Sequence, residues 1–107
     1  MNLFEYTVPE RGETFAPLLR HRDISIQRIV SSEHQEAKIY IQEEDEWVVV
    51  LEGEALLQID GVEKRLCRGE SLLIPAKIPH RVLQTQRGTL WLAVHIHRDP
   101  SSKTREC

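Results

Sequence analysis

"EWVVVLEGEALLQIDGVEKRLCRGESLLIPAKIPHRV", residues 46 to 82, decides how this chain folds. Short apolar or alternating runs follow one another, cut by Glu52-Gly53-Glu54, Asp60-Gly61 and Arg68-Gly69. Alternation with a period of two and many β-branched residues marks strands. The Asp-Gly step between "ALLQI" and "VEKRL" marks a tight hairpin, because both central positions of the favoured turn take positive φ. In "EWVVVLE", Glu46, Val48 and Val50 share one face while Trp47, Val49 and Leu51 share the other. An acid thus travels with core valines.

Outward from this stretch the pattern repeats in "ISIQRIV", "KIYIQ", "HRVLQTQ" and "TLWLAVHIH", with a further break at Arg87-Gly88. No segment holds a 3.6-residue period. Seven or more strands at roughly 8–12-residue spacing predict an all-β sandwich or barrel. Residues 1–14, with Pro9 and Gly12, read as an N-terminal arm, residues 15–98 as the barrel, and 99–107 as a flexible tail. Several strands are apolar on both faces, and a barrel interior uses only one. The second face is expected to bury against another copy, making a homodimer.

The chain has 107 residues, enough for one core, and its 40% hydrophobic and 29% charged residues are ordinary for a soluble domain. Fourteen basic against 17 acidic side chains give a net charge of −3, with no basic stripe to follow a phosphate backbone, so no nucleic-acid partner is expected. No apolar run is long enough for a signal peptide or a membrane span. The two cysteines, Cys67 and Cys107, read as reduced thiols in a cytoplasmic protein, with Cys67 expected as a small core side chain.

Two motifs then point to a family. "GESLLIPAKIPHRV" has Gly69, five residues, Pro75, four residues and His80; "EWVVVLEG" has Glu46 and Gly53 with six residues between them. In order, with fifteen residues between the glycines, they resemble the two signatures of the cupin superfamily. That resemblance implies an antiparallel jelly-roll barrel whose signature glutamate and histidines face inward around a metal. The chain departs from it where the first signature carries a His-x-His pair. A three-residue gap before Glu46 places Tyr40 and Gln42 there; a four-residue gap places Ile39 and Ile41. The first alignment supplies a buried acid with hydrogen-bond donors and is preferred for that reason. Lys77 stands for a glycine and Gln84 for an asparagine of the second signature.

The expected ligand-binding set is therefore Tyr40, Gln42, Glu46 and His80. Any metal would fall to Glu46, His80 and Gln42, with His95 as an auxiliary ligand. An amide and a phenol in place of two imidazoles predict at most a weakly held divalent ion. His95 and His97 form a pair on one strand face, expected to be solvent-exposed, while His21 and His34 read as loop residues. Glu43, Glu44 and Asp45 read as a solvated approach to Glu46, so Glu44→Gln should be silent. The leading function is binding of a small polar ligand. The alternatives are a metal-dependent cupin enzyme of dioxygenase, isomerase or decarboxylase type using His80 and Glu46, and a structural dimer with a vestigial pocket.

Overall fold

The computed structural model describes residues 1–98; the expected tail, 99–107, with Cys107, lies outside them. Within the described residues the chain folds into eight strands and no helix. These are β1 (Glu13–His21), β2 (Ile24–Ser31), β3 (Asp45–Glu52), β4 (Ala55–Ile59), β5 (Val62–Leu66), β6 (Ser71–Ile74), β7 (His80–Thr85) and β8 (Thr89–Ile96). All pairings are antiparallel: one sheet runs β1-β2-β8-β3-β6 and the other β5-β4-β7. The result is a jelly-roll barrel of two sheets.

Turn chemistry closes it where the sequence indicates. Asp60 and Gly61 take φ of 49° and 82°, the paired left-handed conformations of the β4–β5 hairpin. Gly53 is at +87°, and a Cβ there would stand 2.6 Å from Thr89 Oγ1 and 2.8 Å from Thr89 Cα, so only glycine lets the β3–β4 turn cross β8. Between the sheets lie Ile29, Val48, Val50, Ala55, Leu57, Leu66, Ile74, Trp91 and Ala93.

Two elements differ from the sequence reading. β1 was not expected as a strand, and it takes in Glu13 and Thr14 of the expected arm. It is an edge strand with a bulge between Pro17 and Leu19, which accommodates a residue that cannot donate to a ladder and hides the alternation. "KIYIQ", expected as a strand, makes only a single bridge, Tyr40 to His80. Cys67 is exposed rather than a core residue, because β5 ends at Leu66 and the turn begins there.

Candidate functional site

Strand alternation carries Glu46 inward with Val48 and Val50; it is 7% exposed, while Trp47 on the opposite face is 36% exposed. A buried carboxylate needs partners: Gln42 is its hydrogen-bond donor, and two imidazoles stand within 4 Å. Gln42 Nε2 donates to Glu46 Oε1 at 3.1 Å; His80 Nε2 lies 3.9 Å from the same oxygen, and His95 Nε2 lies 3.7 Å from Oε2. The pairing of Glu46 with His95 across β3 and β8 fixes the last of these.

His80 opens β7, and its Nδ1–H donates to the Ile78 carbonyl at 2.9 Å, which turns Nε2 toward Glu46 with its lone pair free of that bond. The Tyr40 ring stacks on His80 with centroids 6.1 Å apart. Backbone bonds hold this segment in place: Tyr40 and His80 exchange both N–H···O bonds, and Lys77 N donates to Gln42 O at 2.7 Å. Tyr40 and Gln42 thereby line the cavity, whereas Ile39 and Ile41 are exposed.

His95 corrects the expectation of a solvent-exposed pair. Its side chain is 13% exposed and lines the cavity, because residues 91, 93 and 95 of β8 all face inward. His95 Nδ1–H donates to Glu44 Oε2 at 3.1 Å, and Nε2 accepts from Gln27 Nε2 at 3.2 Å. His97 is half-buried against Ser25 Oγ at 2.8 Å. Glu44 is therefore not a solvated residue: it orients His95. Asp45 is engaged too, accepting from Ala76 N at 2.8 Å. Glu43, 84% exposed, remains at the surface.

The cavity has a volume of about 210 Å³, walled by Ile29, Val48, Leu57, Ile74, Val82 and Trp91. Phe15 and Tyr40, both about half exposed, stand at its mouth. It also holds Glu13, which sequence reasoning missed because the segment read as an arm; Glu13 and Thr14 are both polar, so no alternation marked the strand. The Ser31 hydroxyl donates to Glu13 Oε2 and accepts from the Trp91 indole N–H at 2.9 Å. Burial raises the Glu13 pKa above the usual carboxylate value and the nearby charge of Glu46 adds to this, against the Ser31 hydrogen bond.

The cupin resemblance implies a metal, and the donors can be tested for one. Two ligands of one ion stand at most about 4 Å apart, twice a metal–nitrogen bond of roughly 2.1 Å, so each Glu46–histidine pair is within reach. Two of the donor atoms are already engaged, however: Gln42 donates to Glu46 Oε1 and Gln27 to His95 Nε2. Among the described residues no three His, Cys, Asp or Glu side chains come together as a metal-holding group. The arrangement does not fit a tightly held transition metal. What it offers is a polar end, with acceptors, donors and an imidazole, on an apolar cavity.

Comparison with known proteins places the chain. A solved structure from Ralstonia eutropha JMP134, proposed to be a mannose-6-phosphate isomerase, is 34% identical with a TM-score of 0.80, covering 92% of this chain and 97% of that one. A Streptococcus pyogenes protein of unknown function is 23% identical, with a TM-score of 0.80 over 92% and 87% of the two chains. An RmlC-like cupin from Shewanella frigidimarina is 20% identical, with a TM-score of 0.73 over 85% and 81%. No curated protein is a significant match. The family model described as "Cupin domain" matches residues 28–97, and with the jelly-roll barrel around an inward-facing Glu46 and His80 this makes the chain a member of the cupin family.

Proposed function

We propose that the barrel binds a small polar ligand, with Glu46 as the charged anchor and His80, Gln42 and Tyr40 as directional partners. The observation that carries this reading is the buried Glu46 carboxylate meeting an amide and two imidazoles at the polar end of an apolar cavity. Few convergent polar groups on an apolar wall are the usual make-up of a ligand site. A cavity of about 210 Å³ is below the roughly 300–1,000 Å³ of drug-sized pockets, so the ligand is small. His95, held by Glu44, is an added partner. A divalent ion would bind weakly at the same place. The exposed Cys67 thiol suits a reducing, cytoplasmic setting.

A second reading is an isomerase-type enzyme. It is favoured by the Ralstonia relative and by His80, whose Nε2 faces the cavity as a base beside Glu46. Both readings put Glu46 at the centre.

The test is a metabolite screen by thermal shift on wild type, Glu46→Gln and Glu43→Gln. Loss of charge-assisted hydrogen bonds worth about 1.5–3 kcal/mol should weaken any hit by roughly 10- to 100-fold in Glu46→Gln and leave Glu43→Gln unchanged. Equal behaviour of the two variants would refute the site. Elemental analysis of untagged protein, run alongside, should find divalent metal well below one per chain.

A further inference from the structure

The cavity's charge says more about its ligand than its shape does. Two carboxylates, Glu13 and Glu46, line it, and among the described residues no lysine or arginine does. The nearby cations are turned elsewhere. Arg81 Nε donates to Gln58 Oε1 at 2.7 Å, Lys77 faces Glu43 on the surface, and Arg28 Nη1 donates to the Leu3 and Glu5 carbonyls of the arm. Lys38 lies over the Tyr40 ring, 5.4 Å from its centre, and lines the adjoining cleft rather than the cavity. Whatever charge the two imidazoles take up is matched by the carboxylates they face, Glu46 for His80 and both Glu44 and Glu46 for His95.

We propose that this cavity selects ligands bearing hydroxyl or ammonium donors, a polyhydroxylated amine above all, and rejects phosphate esters and carboxylates, with Glu13 as a second acceptor beside Glu46. The proposal rests on the cavity being a ligand site and names the class of ligand. Glu13 has its Oε2 fixed by Ser31, which is itself held by Trp91, so its carboxyl is positioned by a buried hydrogen-bonded chain rather than loose at the mouth. Its second oxygen has no hydrogen-bond partner among the described residues. Burial is the main cause of the raised proton affinity of Glu13, and the charge of Glu46 adds to it, so the field of two acids facing one cavity favours added positive charge. An ammonium entering that field relieves the repulsion of the two acids. A phosphate entering it meets two like charges with low-dielectric walls, no lysine or arginine to pair with, and imidazoles that already face carboxylates. If the isomerase reading holds, the substrate of this chain is thus a sugar or amino sugar without phosphate, unlike the substrate named for the Ralstonia relative.

Three ligands on one sugar skeleton make the test: D-mannosamine, D-mannose and D-mannose 6-phosphate, the last also larger by its phosphoryl group, so that the Glu13 variants separate charge from size. They are titrated into ¹⁵N-labelled wild-type protein at pH 7, following the Trp91 indole resonance, in low salt and in about 0.5 M NaCl, where long-range surface charge is screened. The expected order is mannosamine, then mannose, then mannose 6-phosphate, with roughly tenfold or more between the first and last. That order should persist in salt. Glu13→Gln should narrow the gap several-fold, and Glu13→Asp should keep most of it. Mannose 6-phosphate binding as tightly as mannose would overturn the proposal, as would equal affinity for all three. Silence of all three would overturn the ligand class while leaving the cavity to the Glu46 and Glu43 comparison, which uses an unbiased screen.

Discussion

Burial first, and Glu46 after it, raise the pKa of Glu13 in the folded chain above the unfolded value, and Ser31 opposes them. The folded chain therefore holds this proton to higher pH than the unfolded chain does. Its contribution is fully favourable below the ordinary carboxylate range, falls as pH rises through the raised value, and is a penalty above it. Glu13→Gln keeps an acceptor for Ser31 and removes the charge. Melting curves from pH 4 to 8 should show the variant gaining on wild type as pH rises, and parallel curves would contradict this. Glu13 and Glu44 were not legible in the sequence, because their roles depend on which side chains come across the sheet: Ser31 and Trp91 for the one, His95 for the other. Glu46 was, since its side of β3 follows from counting in twos from Val48 and Val50, with no knowledge of the other strands.

At the scale of elements, the turns were legible and the edges were not. Asp60-Gly61 and Gly53 announce backbone conformations that the flanking strands cannot alter, so the hairpins could be placed from residue type alone. β1 escaped because Pro17 and its bulge break the alternation, and "KIYIQ" misled because alternation without a partner strand gives only an extended segment pinned at Tyr40. Lys77 is the instructive departure. It occupies the signature's glycine position and still takes φ of +66°, because its N–H is needed by the Gln42 carbonyl. A side chain in that region is strained. Lys77→Gly should therefore stabilise the fold by about 1 kcal/mol, whereas Lys77→Ala should not. Urea midpoints at unchanged slope read the difference, and a loss on going to glycine would show that the lysine side chain matters more than its backbone.

For the whole molecule, the remaining question is what covers the outer face of the five-stranded sheet. Counting from the inward residues, Ile24 and Ile26 of β2, Leu92, Val94 and Ile96 of β8, Trp47, Val49 and Leu51 of β3, and Leu73 of β6 all point outward. One end of this face is already closed. Val30 and Leu90, paired across β2 and β8, are 1% and 0% exposed. The N-terminal arm is anchored beside them, with Tyr6 donating to the Gly88 carbonyl and Arg28 to those of Leu3 and Glu5. Beyond the arm, Trp47, Leu73 and Ile96 are 36%, 52% and 42% exposed, a contiguous apolar surface of the kind that monomers rarely display. We propose that a second copy covers it, since an apolar sheet face meets its own symmetry mate without needing any new chemistry. Stable dimers of this sort bury on the order of 2,000 Å² or more. Sedimentation at micromolar concentration should show a dimer, and Trp47→Glu, which places a charge in the middle of the face while leaving Glu46 inward, should yield folded monomer. A wild type that sediments only as monomer would sink the idea, and the outer face would then have to be explained as an exposed surface in its own right.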